Sequence, residues 1–309
     1  MRRKKPWFWF LGILVLLTLV VWTGREEIAT SFHYFPWSLL PAFLILQIVT
    51  LTLTSYCWFL LLKEKGSSIP FMPTLLIFLS GNFVESVTPV AKLGGEAAKV
   101  FLFRKKANLE YSAVLSVLMV QKIFFFLSFF SVIIVIVIPA AFFYPLPPEL
   151  YQGIVVLGAI LTLAIFFLKR KSMGKRKGSG WAGKFRDFFQ QTLQETHLQG
   201  RLSLYIISLL SWALYPVKTY AVTLALDMEA SFLLISLATF AAYLLGMIPL
   251  LPGGLGAFEG GMAFFLSLGA LSIQDGLSIA LITRIITFWF PLLFGALATA
   301  FLGGISEKR

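Results

Sequence analysis

The chain has 309 residues, of which 58% are hydrophobic and 13% charged, with a mean hydropathy of +0.86. Soluble domains carry about 25% charged residues, so this composition excludes a water-soluble enzyme and a disordered chain alike. The net charge of +12 comes from bases lying between apolar segments, where they set membrane topology rather than bind nucleic acid.

The class that remains is an all-α polytopic membrane protein, read as one transmembrane domain over 1–309. The apolar runs are continuous, whereas a membrane β-barrel needs alternation. About 20 apolar residues cross a bilayer. Trp7–Thr23 follows Met1-Arg-Arg-Lys-Lys and reads as a retained first helix, since no small-residue cleavage site closes it. Further spans are expected at Leu39–Leu62, Ser112–Ile138, Leu150–Leu168, Leu202–Leu226 and Leu277–Leu302, about six full transmembrane helices in all. Two other apolar stretches, Phe71–Pro89 and Phe232–Leu251, run into Pro/Gly-rich sequence carrying charge, and a second helical piece follows each. Helix cannot continue through Pro252-Gly253-Gly254. These regions, about 71–109 and 232–271, read as two re-entrant helical hairpins.

Charge bias orients the chain. With a cytoplasmic N-terminus and two hairpins, Lys63, Lys65, Arg104, Lys105, Lys106, the cluster Lys169 to Lys177, Lys308 and Arg309 all fall inside. The outer loops then hold Glu26, Glu27, Glu149, Asp227, Glu229 and Asp275, with Arg25 as their only base. The expected location is the cytoplasmic membrane with both termini inside. The stretches are long for half-penetrating arms, which leaves full spans with broken helices as the alternative. On this threading the hairpins enter from opposite faces. Pro89 to Glu96 and Pro252 to Glu259 share one spacing with Leu-Gly between, the pattern of an inverted repeat, or of two Gly-rich breaks alike by chance.

The loop 169–201 combines a basic linker with a segment whose Trp181, Phe185, Phe188, Phe189 and Leu193 share one helical face. It reads as an amphipathic helix on the anionic inner leaflet, or as an ordinary positive-inside loop.

Charge inside a membrane costs roughly 2.5–3.5 kcal/mol per residue at a helix centre, so Glu85, Lys92, Glu96, Lys122, Lys218, Glu259 and Arg284 each need a role. Lys122 lies near mid-helix and reads as a cation facing a cavity, or as half of an ion pair with Glu85 or Glu96. Arg284 lies closer to the outer face and either snorkels there or, flanked by Thr283 and Thr287, uses its guanidinium for bidentate phosphate or carboxylate binding. Lys218 is expected to snorkel to the outer surface. Glu96 and Glu259 follow the breaks and either cap short helices or pair with Lys92, Lys122 or Arg284. The backbone N–H groups at Gly94-Gly95 and Gly253-Gly254 are candidates for cradling a phosphate. No catalytic residue, metal site or cofactor is expected. His33 and His197 are the only histidines and Cys57 the only cysteine, and no nucleotide-binding loop or hydrolase motif occurs.

Two blocks carry a family resemblance. Thr88-Pro-Val-Ala-Lys-Leu-Gly-Gly-Glu-Ala-Ala-Lys-Val with its basic patch, and Leu251-Pro-Gly-Gly-Leu-Gly-Ala-Phe-Glu-Gly with Arg284-Ile-Ile-Thr-Phe-Trp-Phe-Pro, resemble signatures of the lysylphosphatidylglycerol synthase transmembrane-region family of flippase-like proteins. The resemblance implies a membrane region similar to a lipid translocator. In the best-understood members that region is fused to a cytosolic aminoacyltransferase. Here the chain ends at Ser306-Glu-Lys-Arg, so transfer activity is not carried over. Where the family often places an acidic–Arg pair, this chain has Gln121-Lys122.

The expected function is therefore translocation of an anionic or phosphate-containing lipid. Lys92, Gly94, Gly95, Glu96, Lys122, Gly253, Gly254, Glu259 and Arg284 would form the headgroup site, and membrane lipids would be the partners. The alternatives are a non-transporting subunit that presents lipid to a separate synthase or glycosyltransferase, and an intramembrane lipid-modifying transferase.

Overall fold

Apolar chain in hydrocarbon must satisfy its own backbone hydrogen bonds, and helix is the local way to do so. The computed structural model describes residues 25–88, 93–146, 148, 198–248, 252–269 and 271–307. Every regular element among them is helical. In chain order these are α1 (Arg25–Tyr34), α2 (Leu40–Glu64), α3 (Phe71–Val87), α4 (Leu93–Ala107), α5 (Tyr111–Phe143), α6 (Leu198–Ala225), α7 (Phe232–Met247), α8 (Ala257–Leu266), α9 (Ile273–Arg284) and α10 (Phe290–Glu307). Four described stretches are long and apolar enough to cross a bilayer: Trp37–Glu64, Tyr111–Phe143, Leu202–Ala225 and Ile273–Gly303. They correspond to four of the six expected spans. The other two, Trp7–Thr23 and Leu150–Leu168, lie outside the described residues, as does the loop 169–201 up to the start of α6.

Two boundaries moved for identifiable reasons. The last span begins at Ile273 rather than Leu277, because Ser272 and Asp275 form a capping box. Ser272 Oγ accepts from the Asp275 N–H, and the Asp275 carboxylate accepts from the Ser272 N–H, each at 3.1 Å. The same span is not uniform α-helix, since Ile285–Trp289 forms one π-helical turn directly after Arg284. The other shift lies at residues 25–34, read as outer loop, which form α1. Its Ile28 packs with Ala263 and Leu277.

Both Gly-rich regions fold back as helical hairpins. In the first, α4 returns along α3, and Lys99 reaches Glu85 across the pair. Gly95 makes that approach possible: a Cβ there would lie 2.8 Å from Glu85 Cα and 2.5 Å from the Gly81 carbonyl. Gly95→Ala is accordingly expected to destabilise the protein by about 1–3 kcal/mol. Gly303, with nothing within 4 Å of its Cβ position, is the control. Thermal unfolding in detergent checks this, and equal midpoints for the two alanine variants would sink it. In the second hairpin, α8 returns along α7, with Phe258 beside Gly246 and Gly269 beside Leu234. Its tip turns at Gly253 and Gly254, both with positive φ (+64° and +66°), a conformation glycine adopts without Cβ strain.

The two halves are related. Helices α2 and α6 pack antiparallel: Gln47 of α2 bonds Lys218 of α6, and further along Cys57 lies 3.8 Å from Ser208. The shift in numbering that carries Gln47 onto Ser208 also carries Cys57 onto Lys218, Phe71 onto Phe232 and Glu64 onto Ala225. Each half is thus a long helix, a hairpin and a second long helix, and the antiparallel α2–α6 contact gives the two opposite direction. The halves interlock. Thr299 of α10 donates to Ser80 of the first hairpin (2.9 Å), and Phe129 of α5 packs on Phe240 of the second.

Candidate functional site

Each hairpin delivers one buried carboxylate to the long helix that follows it. Lys122 is the twelfth residue of α5 and Arg284 the twelfth of α9, which places both roughly 16 Å along their helices. Glu96 Oε1 accepts from Lys122 Nζ at 2.6 Å and from Lys99 Nζ at 3.2 Å. Glu259 Oε1 accepts from Arg284 Nε at 2.9 Å. Buried charge in a low-dielectric setting is tolerated only when paired and hydrogen-bonded, and these pairs meet that condition.

The second pair is closed on all sides. Glu259 Oε2 also accepts from the Gly256 N–H at 2.7 Å, capping α8. Arg284 Nη2 donates to the Gly253 carbonyl, and the guanidinium lies between the rings of Phe258 and Phe288, 4.5 and 4.6 Å from their centroids. The two readings of Glu259, helix cap and partner of Arg284, both hold. The first pair is looser. Lys122 keeps 31% of its side-chain surface exposed while Lys99 keeps 3%. Lys99 also reaches Glu85 at 3.5 Å and sits over the Phe78 ring. Glu96 Oε2 has no hydrogen-bond partner among the described residues.

Both hairpins contribute to a cavity of about 290 Å³. The first contributes Glu85, Thr88 and Lys99, the second Gly246, Gly253 and Gly254. Lys122 and Arg284 line it from α5 and α9. Part of its wall is aromatic, through Trp212, Tyr215 and Tyr243, which pack on one another. Its volume is at the small end for ligand sites, enough for a polar headgroup but not for acyl chains. The π-helical turn after Arg284 carries Thr287 and Phe288 into the same wall, and such turns recur at functional sites.

The expected site residues separate under this geometry. Lys122, Gly253, Gly254 and Arg284 line the cavity, and Glu96 and Glu259 hold its cations. Gly94 and Gly95 instead seat α4 against Thr88 and α3, and are not part of the cavity wall. Lys92 lies outside the described residues. One expectation is overturned. Lys218 does not snorkel: its exposure is 0%, because α6 is surrounded there and Gln47 and Thr50 supply oxygen partners. Sequence reasoning also missed Lys99, although its place one turn after Glu96 was a usable signal.

These features define a polytopic helical membrane protein with two hairpins closing on an internal charged cavity. A family profile described as "Lysylphosphatidylglycerol synthase TM region" matches residues 9–295, and the chain belongs to that family. Among its relatives is a UPF0104 membrane protein of Methanothermobacter thermautotrophicus, 22% identical over 100% of this chain and 98% of the relative. Another, a UPF0104 membrane protein of Pyrococcus horikoshii, is 25% identical over 95% and 96% of the two chains.

Proposed function

We propose that this protein is a lipid translocator of the cytoplasmic membrane, of flippase or scramblase type, for lipids with an anionic or phosphate-containing headgroup. On this reading the hairpins are re-entrant from opposite faces and both termini are cytoplasmic, as the charge bias favours. The observation that carries the proposal is the cavity between the two hairpins, with Lys122 and Arg284 each the twelfth residue of its helix and each held by a hairpin carboxylate. A headgroup phosphate entering the cavity competes with those carboxylates for the cations, while its acyl chains stay in the bilayer. Internal two-fold organisation supports alternating exposure of such a site to the two leaflets.

The test uses proteoliposomes containing fluorescent phosphatidylglycerol or phosphatidylcholine and a membrane-impermeant quencher. The expected result is faster loss of the inner-leaflet signal for phosphatidylglycerol than in protein-free vesicles, with Lys122→Gln abolishing the gain. Folded protein that leaves the protein-free rate unchanged for both lipids would overturn the proposal. Co-purification of such protein with a cytosolic enzyme would then move the assignment to a lipid-presenting subunit.

A further inference from the structure

Lys218 is a fully buried amine whose partners are all uncharged. Its Nζ donates to Gln47 Oε1 and to Thr50 Oγ1 (3.0 Å), and lies 4.2 Å from the centroid of the Tyr215 ring. No carboxylate among the described residues pairs with it. Gln47, Thr50 and Tyr215 all line the cavity, whereas Lys218 stands one layer behind them. Protonated, it acts on the cavity through that wall.

Three further observations give that charge a direction. The first is balance. Lys99 and Lys122 face Glu85 and Glu96, and Arg284 faces Glu259, so among the described residues around the cavity Lys218 is the basic group with no carboxylate partner, and an anionic ligand is the counter-charge that would favour its protonated form. The second is the Gln47 amide. An ammonium has no acceptor, so it must face the carbonyl oxygen. The Gln47 NH2 group, which makes no hydrogen bond to the described residues, is then the end left for a ligand oxygen. The third comes from the internal repeat. The counterpart of the Lys218–Gln47 contact at the other end of the α2–α6 packing is Cys57 with Ser208, both buried and uncharged. Packing of these helices does not call for a charge at this position.

We infer that Lys218 and Gln47 form the charge-selecting element of the cavity, favouring headgroups with a net negative phosphodiester over zwitterionic ones. The inference rests on the lipid-binding reading of the cavity and assigns a residue pair on α2 and α6, apart from the two hairpins. Lys218 is a positioning residue: it orients Gln47 and sets the local potential without touching the ligand.

The experiment reads binding, so that a failure of translocation leaves it decisive. Purified full-length protein is equilibrated in mixed micelles with equal phosphatidylglycerol and phosphatidylcholine, and retained lipid is counted by mass spectrometry. Wild type is expected to retain phosphatidylglycerol in at least tenfold preference. Lys218→Met is expected to bring that preference down to twofold or less. Gln47→Glu tests the same charge from the other partner, neutralising Lys218 in place with a side chain of equal size, and is expected to do the same should Lys218→Met fail to fold. Cys57→Ser, at the equivalent position of the other repeat, is expected to leave the preference within twofold of wild type. A folded Lys218→Met or Gln47→Glu protein with wild-type preference would overturn the inference, as would equal retention of both lipids by wild type. Displacement of bound phosphatidylglycerol by millimolar inorganic phosphate alone would overturn the lipid headgroup as the ligand and assign the element to a free anion.

Discussion

Glu259→Ala is expected to remove most of the folded protein recovered in detergent, the largest stability effect of any single change at the site. The Glu259 side chain is 1% exposed and the Arg284 side chain 7%, so the variant leaves a guanidinium buried without its counter-charge, at a cost of about 3–5 kcal/mol. It also strips the Gly256 N–H of its acceptor, and an orphaned buried donor costs about 1–3 kcal/mol. Against a total stability of about 5–15 kcal/mol for a folded domain, the combined loss is a large fraction. The double variant Glu259→Ala/Arg284→Met is expected to recover most of the ion-pair part, because replacing both members of a buried pair with apolar groups is close to neutral. It should fold and yet fail to speed phosphatidylglycerol movement. Thermal midpoints by size-exclusion after heating, read for the two singles and the double, supply the coupling energy. A Glu259→Ala midpoint within a degree or two of wild type would show that the pair does not hold the second hairpin tip in place.

Lys122 and Lys99 share the same carboxylate oxygen, and their neutralisation is expected to have opposite consequences. Lys122→Gln should cut translocation of the anionic lipid at least tenfold while leaving stability nearly unchanged. Its ammonium is the more exposed of the two and Glu96 keeps Lys99 after the change, so no charge is left buried alone. Lys99→Gln should instead lower stability by about 3–5 kcal/mol. Lys99 is 2% exposed, bridges Glu85 to Glu96 and fills the space above Gly81, so its loss leaves two neighbouring carboxylates with Lys122 alone. Comparing transport per folded molecule with thermal midpoint separates the two roles. Loss of stability in Lys122→Gln comparable to that in Lys99→Gln would make Lys122 a structural cation and remove it from the headgroup site.

The four described spans, the two helix breaks and the acid that follows each break were legible in the sequence, because each is a property of a short stretch of chain. Hydropathy over about 20 residues decides what crosses a bilayer, and Pro252-Gly253-Gly254 interrupts helix wherever it is placed. The pairing of Glu96 with Lys122 was among the alternatives that spacing allowed, since the hairpin and its following helix are neighbours in the chain. The capping box at Ser272 and Asp275 was equally local, and it explains why the last span starts before its apolar run does.

Lys218 shows where such reading stops. Its position near one end of an apolar run gives its distance from the helix terminus, and from that alone an exit to the surface is the cheaper course. Whether the exit is open depends on what surrounds α6. Its partners Gln47 and Thr50 stand on α2, far away in the chain, and no local pattern in either helix marks the other. The same holds for Gly94 and Gly95, where a glycine pair that spacing allows as a phosphate cradle turns out to admit a neighbouring helix. The sequence by itself determined which apolar stretches form helices, where helix breaks and most of the charges that lie among them, because insertion and helix breaking act along the chain. Only the tertiary structure decided which of them face one another, which face the cavity and which one has no carboxylate partner among the described residues, because those depend on the rotation and packing of helices that meet only in the fold.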